Sequence, residues 1–160
     1  VHTAIVYTVS DSCHAGKRQD VSGPAVAARL AALGFQVVAR SVVPDDLDQL
    51  IDSLRSSASQ VRLVVTTGGT GIAPRDITPE ATRAVCDSMI DGIPELMRAS
   101  GAVNVPTAPL SRALCGCCGE ALILNLPGNP AGAIESLNSV AHLLPHALDL
   151  LAGDTGHPTA

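Results

Sequence analysis

Apolar residues along this chain fall into short solid runs and longer helical stripes, in alternation. Thr3–Val9, Phe35–Val43, Val61–Val65 and Ala121–Leu126 are aliphatic, β-branched runs of strand length, the pattern of strands buried on both faces. Leu110–Leu114 reads as a further strand, with Cys115-Gly116-Cys117-Cys118-Gly119 as a turn joining it to Ala121–Leu126. Leu47, Leu50, Ile51 and Leu54 recur at i, i+3, i+4, i+7, which predicts an amphipathic helix from Asp46 to about Ser57, capped by Asp45 or Asp46. Ser22 is expected to cap a helix that carries Pro24 in its first turn and stops at Gly34, after a polar loop running to Asp20. Thr78-Pro79-Glu80 opens another helix, and Gly92–Arg98 a short one whose arginine faces solvent. Asn129-Pro130 starts a helix with Ile134, Leu137, Ala141 and Leu144 on one face; Pro145 breaks it. His146–Leu151 forms a last helix before a tail over 153–160 expected to be mobile.

Strands alternating with helices, without repeat or linker, predict one α/β domain over 1–160: a three-layer open, mostly parallel sheet with helices on both faces. Ligands of such sheets bind outside the carboxyl ends of the strands. Ser10-Asp11, Pro44-Asp45, Thr67 to Asp76 and Leu126 to Asn129 all fall at predicted strand exits and can converge on one crevice.

The segment Thr66-Thr67-Gly68-Gly69-Thr70-Gly71-Ile72-Ala73-Pro74-Arg75-Asp76 carries the most chemistry. Glycine tolerates positive φ and close approach, so the N–H groups of Gly68, Gly69, Thr70 and Gly71 are expected to face an anion. The motif is neither a P-loop nor Gly-x-Gly-x-x-Gly, and a bare glycine turn between strand and helix is its plain alternative. Arg75-Asp76 points beyond a turn, since a turn needs neither. Asp45 and Asp76 follow different strands, and two carboxylates at one rim suit Mg2+, which takes oxygen ligands together with substrate phosphates. A helix cap would also explain Asp45 or Asp46, and an Asx turn or a pair with Arg75 would explain Asp76. Leu126-Pro127-Gly128-Asn129-Pro130 is a second strand-to-helix corner, equally natural as an anion-holding helix start or as a turn. Ser111-Arg112 adds a hydroxyl and a cation.

Composition narrows the partners. A formal charge of −5 argues against a phosphate-backbone surface for nucleic acid or anionic membrane, and one Phe, one Tyr and no Trp leave almost no means of base stacking. No apolar run is long enough to span a bilayer, and a cytoplasmic setting is expected. Five cysteines, an odd number, read as reduced thiols rather than a disulfide framework. The Cys115/Cys117/Cys118 cluster lacks zinc spacing, leaving a redox or soft-metal role open beside the turn. His142 and His146 have helical metal spacing but straddle Pro145 without a third ligand, and Cys13-His14 lacks a catalytic partner.

Taken together, Ser10-Asp11-Ser12, Gly23-Pro24, Pro44-Asp45-Asp46, Thr66 to Gly71, Pro74 to Thr82, Leu110-Ser111-Arg112 and Asn125 to Pro130 occur in the order and spacing of the MoaB/MogA proteins. The chain resembles that family from Thr3 to about Leu151, and with it the gephyrin G domain. The resemblance implies molybdenum cofactor biosynthesis by a molybdopterin adenylyltransferase, which uses Mg2+ and ATP to attach AMP to the terminal phosphate of molybdopterin, releasing pyrophosphate. It implies that Asp45 and Asp76 are the catalytic carboxylates and hold Mg2+, while Thr67, Gly68, Gly69, Thr70 and Gly71 cradle phosphate. Ser111, Pro127, Gly128, Asn129 and Pro130 would line the pterin or nucleotide pocket. A homotrimer and a downstream molybdenum-insertion partner are implied as well. A catalytically silent molybdopterin-binding trimer, or a nucleotide pyrophosphatase of the related competence-damage type, are the competing expectations. The cysteine cluster and Cys13-His14 depart from the family pattern.

Overall fold

A computed structural model describes residues 1–156. The elements are β1 (Thr3–Val9), α1 (Asp11–His14), α2 (Ser22–Ala32), β2 (Gln36–Val43), α3 (Leu47–Ala58), β3 (Leu63–Thr67) and α4 (Thr78–Val85), then β4 (Ser88–Met89), α5 (Gly92–Ala102), β5 (Cys115–Cys118), β6 (Ala121–Leu126), α6 (Pro130–Val140) and α7 (Leu144–Leu151). They build one sheet of order β2-β1-β3-β6-β5-β4. The first four strands in that order run parallel, and β5 and β4 are each antiparallel to the neighbour before them.

Alternation along the strands divides the core. Ala4, Val6, Leu63, Val65, Leu122 and Leu124 point to the face covered by Val26 and Leu30 of α2, Met97 of α5, Leu137 of α6 and Leu148 of α7. Ile5, Val64 and Ile123 point to the other, against Leu50 and Leu54 of α3 and Ala81 and Val85 of α4. The three-layer open sheet expected from the sequence is therefore the fold found. Among the described residues no helix is long and apolar enough to cross a membrane.

Local expectations fail where the decisive contact is remote in sequence. Leu110–Leu114 is not a strand: Ala108–Leu110 forms a 3₁₀ turn, and the cysteines themselves make β5. Cys115, 1% exposed, pairs with Leu124, and the hairpin turn is left to Gly119 at φ +57°. Ser22 does not cap α2 but lies buried inside its first turn; Asp20 Oδ1 instead accepts from Gly23 N at 3.0 Å. Arg98 does not simply face solvent, since its Nη1 donates to Ser111 O at 3.3 Å and Ala113 O at 3.1 Å, and α5 continues to Ala102. Part of the polar loop after β1 is the short helix α1, capped by Ser10 Oγ on Cys13 N at 3.2 Å. The last helical face breaks before Pro145: α6 ends at Val140, and Pro145 sits in the first turn of α7. Of the tail over 153–160, residues 157–160 lie outside the described residues.

Candidate functional site

The site begins where β3, buried at every position, delivers Thr67 and Gly68 to the carboxyl edge of the sheet. Thr67 Oγ1 donates to Pro127 O at 2.8 Å and Gly68 N donates to Leu126 O at 3.0 Å, so the exits of β3 and β6 are stitched together. Gly68 and Gly69 adopt φ +99° and +69°, a region that favours glycine. A side chain at Gly68 would overlap the Val9 carbonyl, and one at Gly69 the Thr78 hydroxyl. Thr78 is more than a helix start: its Oγ1 donates to Gly68 O at 2.9 Å and its N to Gly69 O at 3.1 Å. These bonds correct one expectation. The Gly68 N–H is committed to Leu126, whereas among the described residues the N–H groups of Gly69, Thr70 and Gly71 have no protein acceptor.

Asp46, not Asp45, caps α3, its Oδ1 accepting from Gln49 N at 2.9 Å. Asp45 is thereby released to the rim, where it and Asp11 grip each other's backbone. Asp11 N donates to Asp45 Oδ2 and Asp45 N to Asp11 Oδ1, both at 2.9 Å. Arg75 pairs with Asp11 rather than Asp76, through Nε to Oδ2 at 2.5 Å. Asp76 Oδ2 accepts from Ala73 N at 3.0 Å, an Asx-type closure of its own loop. The hydrogen bond from Arg75 holds the Asp11 carboxyl below its usual range. Asp45 moves the other way: burial first, then the neighbouring Asp11 and Asp76 charges, push its carboxyl up, against the pull of the Asp11 N–H.

Two cavities flank this loop. One, of about 440 Å³, is lined by Asp45, Thr67, Gly68, Gly69, Asp76, Gly128, Asn129 and Pro130, together with Thr8, Ser10 and Asp20. The second, of about 590 Å³, is more apolar and holds Thr70, Gly71, Ile72, Met97, Leu110, Ser111, Pro127 and Asn129. Asn129 lines both, and its Oδ1 caps α6 by accepting from Gly132 N at 3.0 Å. Asp45, Asp76, Thr67 to Gly71, Ser111 and Pro127 to Pro130 thus each stand on one of two cavities, and the glycine loop and the Leu126–Pro130 corner contribute to both. A wider groove of about 810 Å³ over α2, α5 and α6 has, among the described residues, Glu135 as its one charged lining residue and no cation for a phosphate.

Arg112, expected as a cation for ligand, turns away from both cavities. Its Nε donates to Gly71 O at 2.7 Å, Nη2 to Asp76 O at 3.0 Å and Nη1 to Glu80 Oε1 at 2.5 Å, which makes it a brace for the loop. The same bond holds the Glu80 carboxyl below its usual range. Among the described residues no group of three or more His, Cys, Asp or Glu is placed to hold a metal, so neither the cysteines nor His142 and His146 form such a centre. Cys13 borders the smaller cavity; the Cys86 thiol is pushed up to about 12 by burial, and burial pushes Cys115 higher still. Sequence reasoning gave no role to Asp11, Asp20 or Asn125. Asp11 stood at a strand exit, which was the available signal; Asn125, fully buried, had none, because its partners Thr66 and Thr82 come from other elements.

The family described as "probable molybdopterin binding domain" matches residues 5–146. The chain belongs to this family. A curated relative of the molybdopterin-binding family, the molybdopterin adenylyltransferase of Helicobacter pylori, is 41% identical over 156 residues, covering 93% of this chain and 87% of the relative. The crystal structure of the molybdopterin biosynthesis enzyme MoaB of Thermus thermophilus superposes with a TM-score of 0.90 at 46% identity, over 96% of this chain and 98% of the other. The Drosophila melanogaster molybdenum cofactor synthesis protein cinnamon is 38% identical over 154 residues, but this chain spans only 25% of its length. The MoaB/MogA resemblance is thus upheld in sequence and in fold.

Proposed function

We propose that this protein is a molybdopterin adenylyltransferase acting in molybdenum cofactor biosynthesis. One observation carries the reading: two carboxylates from separate loops, Asp45 and Asp76, face a polar cavity that shares a glycine wall and Asn129 with a second, more apolar cavity. That is the layout an AMP transfer between two bulky substrates requires, with triphosphate and carboxylates on one side and the pterin on the other. The relative from Helicobacter pylori bears the name of this activity and is matched over most of its length.

The donor set fits Mg2+. Asp45 and Asp76 each commit Oδ2 to a backbone N–H and keep Oδ1 without a protein partner among the described residues, leaving one hard oxygen apiece. Such a pair suits a cation that binds through one or two carboxylates and completes its shell with phosphates and water. When bound, the ion offsets the charge repulsion between phosphate groups. The chain's own part is placement. The N–H groups of Gly69, Thr70 and Gly71 hold phosphate oxygens; Asn129, at the start of α6, lies where the substrates meet. A terminal phosphate oxygen of molybdopterin attacks the α-phosphorus of ATP, the new P–O bond forms as the bond to the bridging oxygen breaks, and pyrophosphate departs. No protein nucleophile is used, so orientation carries the rate.

Incubation of the protein with molybdopterin and Mg2+-ATP is expected to yield adenylylated pterin and pyrophosphate. Pterin binding without AMP transfer would refute the enzyme reading in favour of a silent binding protein, and pyrophosphate release without pterin would point to a pyrophosphatase. Asp76→Asn is expected to keep the fold and pterin binding while kcat drops by about 100-fold or more. Unchanged turnover would show that this carboxylate has another task.

A further inference from the structure

Strands β1 and β2 pair in parallel up to Val9↔Val43, so the segments leaving them emerge side by side. Each soon presents an aspartate, Asp11 and Asp45. Asp11 Oδ1 accepts the Asp45 N–H, and Asp45 Oδ2 accepts the Asp11 N–H, which as part of the first turn of α1 has no helical partner. The remaining oxygens differ in fate. Asp11 Oδ2 takes Arg75 Nε at 2.5 Å, while Arg75 Nη2 also reaches Asp45 O at 3.1 Å. Asp45 Oδ1 has no partner among the described residues and lies beside Gly69, toward the polar cavity. Asp11 is absent from that cavity's lining, and each of its carboxylate oxygens already accepts a bond within the protein. Its contact with the cavity runs through Asp45.

We propose that Asp11 is a positioning residue for adenylyl transfer: its side chain and N–H hold Asp45 in the one arrangement that presents Oδ1 to the cavity, with Arg75 bracing the pair. The two reciprocal bonds are charge-assisted and oppositely directed, so they fix both the loop and the rotamer of Asp45. Arg75 is 70% exposed, and an ion pair so open contributes little stability. Its use is geometric: it belongs to the loop that carries Asp76, and its two bonds span from that loop to both aspartates. A single constellation therefore sets the separation of the carboxylates. The inference rests on Asp45 being catalytic, as proposed above.

The test compares the full-length chain with Asp11→Ala, Asp45→Asn and the double variant, measuring kcat and KM for AMP transfer and, by NMR, hydrogen exchange at the Asp45 amide. Asp11→Ala is expected to lower kcat by about 10- to 100-fold with KM for molybdopterin unchanged, and to speed Asp45 amide exchange. Asp11→Asn, which keeps a carbonyl for the Asp45 N–H, should recover most of the turnover. The double variant should be no slower than Asp45→Asn, since residues acting as a unit are not additive. If Asp11→Ala does not fold, Asp11→Ser carries the same expectation, because it still suits the start of α1 but is too short to span to Asp45. An unchanged kcat in Asp11→Ala, or losses that add in the double variant, overturns the proposal while leaving Asp45 catalytic. Wild-type turnover in Asp45→Asn overturns the catalytic reading itself, and this proposal with it.

Discussion

Gly68 and Gly16 both adopt positive φ, +99° and +75°, yet only one of them belongs to the site. Around Gly16 a methyl group meets open space, whereas at Gly68 it overlaps the Val9 carbonyl, a backbone atom that cannot rotate aside. Gly16→Ala is therefore expected to cost about 1 kcal/mol from backbone strain alone. Gly68→Ala should cost about 2–4 kcal/mol, overpacking included, and should distort the loop. Urea unfolding of the two variants separates the effects; equal losses would show that the close approach to β1 is not what requires glycine. At this scale the glycine motif was legible as a tight loop. Its committed N–H was not, because the Leu126 carbonyl that accepts it comes from a strand far along the chain. The same distance hid the engagement of Arg112 and the pairing of Arg75 with Asp11 instead of Asp76.

Elements rather than single residues hold the second wall of the site. Asn125 on β6 sends Nδ2 to Thr66 Oγ1 of β3 at 3.0 Å and to Thr82 Oγ1 of α4 at 2.9 Å, and its Oδ1 accepts from Leu114 N at 3.1 Å. One buried amide thus joins two strands, a helix and the segment leading from Ser111 into β5. Asn125→Leu leaves the Leu114 N–H without its acceptor and crowds the hydroxyls, and should destabilise by about 2–4 kcal/mol. A cost below about 1 kcal/mol in chemical denaturation would show that the network is dispensable. The parallel strands and the amphipathic α3 were readable because each carries its burial pattern in its own residues. Neither β4, with two residues, nor β5, made of cysteine and glycine, carries such a pattern. β5 exists because β6 offers it an edge, and β4 because β5 does, which is tertiary information. The short α1 was hidden likewise in polar sequence, as it has no buried residue.

Across the whole molecule, a chain of net charge −5 gathers Asp11, Asp20, Asp45 and Asp76 around one rim, an arrangement that favours a cation more than it favours the folded state. Asp45 bears the conflict, because burial and the neighbouring carboxylates raise its pKa above the usual 3.8. For a carboxyl whose folded pKa lies above its unfolded value, the folded state binds the proton more tightly. Its ionised form then reduces stability above the folded pKa, and the penalty vanishes once pH falls below the unfolded value. Asp45→Asn removes the charge yet keeps an oxygen for the Asp11 N–H. The variant should accordingly be more stable than the wild type at about pH 7, by less than about 1 kcal/mol because the group is partly solvated and screened. The advantage should disappear in acid, where Asp45 is protonated. Glu80, whose pKa is lowered by Arg112, loses its stabilising effect as pH falls in both proteins alike and cancels from the difference, whereas Asp11, held low by Arg75, is also freed from the Asp45 charge in the variant, which adds to the variant's advantage at neutral pH. Urea midpoints across the acid range measure it. A variant less stable at neutral pH would mean that the bond from the Asp11 N–H outweighs burial and repulsion. From the expected order, with the variant more stable, Mg2+-ATP should reverse the ranking, raising the wild-type midpoint and leaving the variant's nearly unmoved, because a ligand stabilises only the form that binds it. The strain at Asp45 is in this sense the stability that the molecule forgoes to keep a charged oxygen facing the polar cavity.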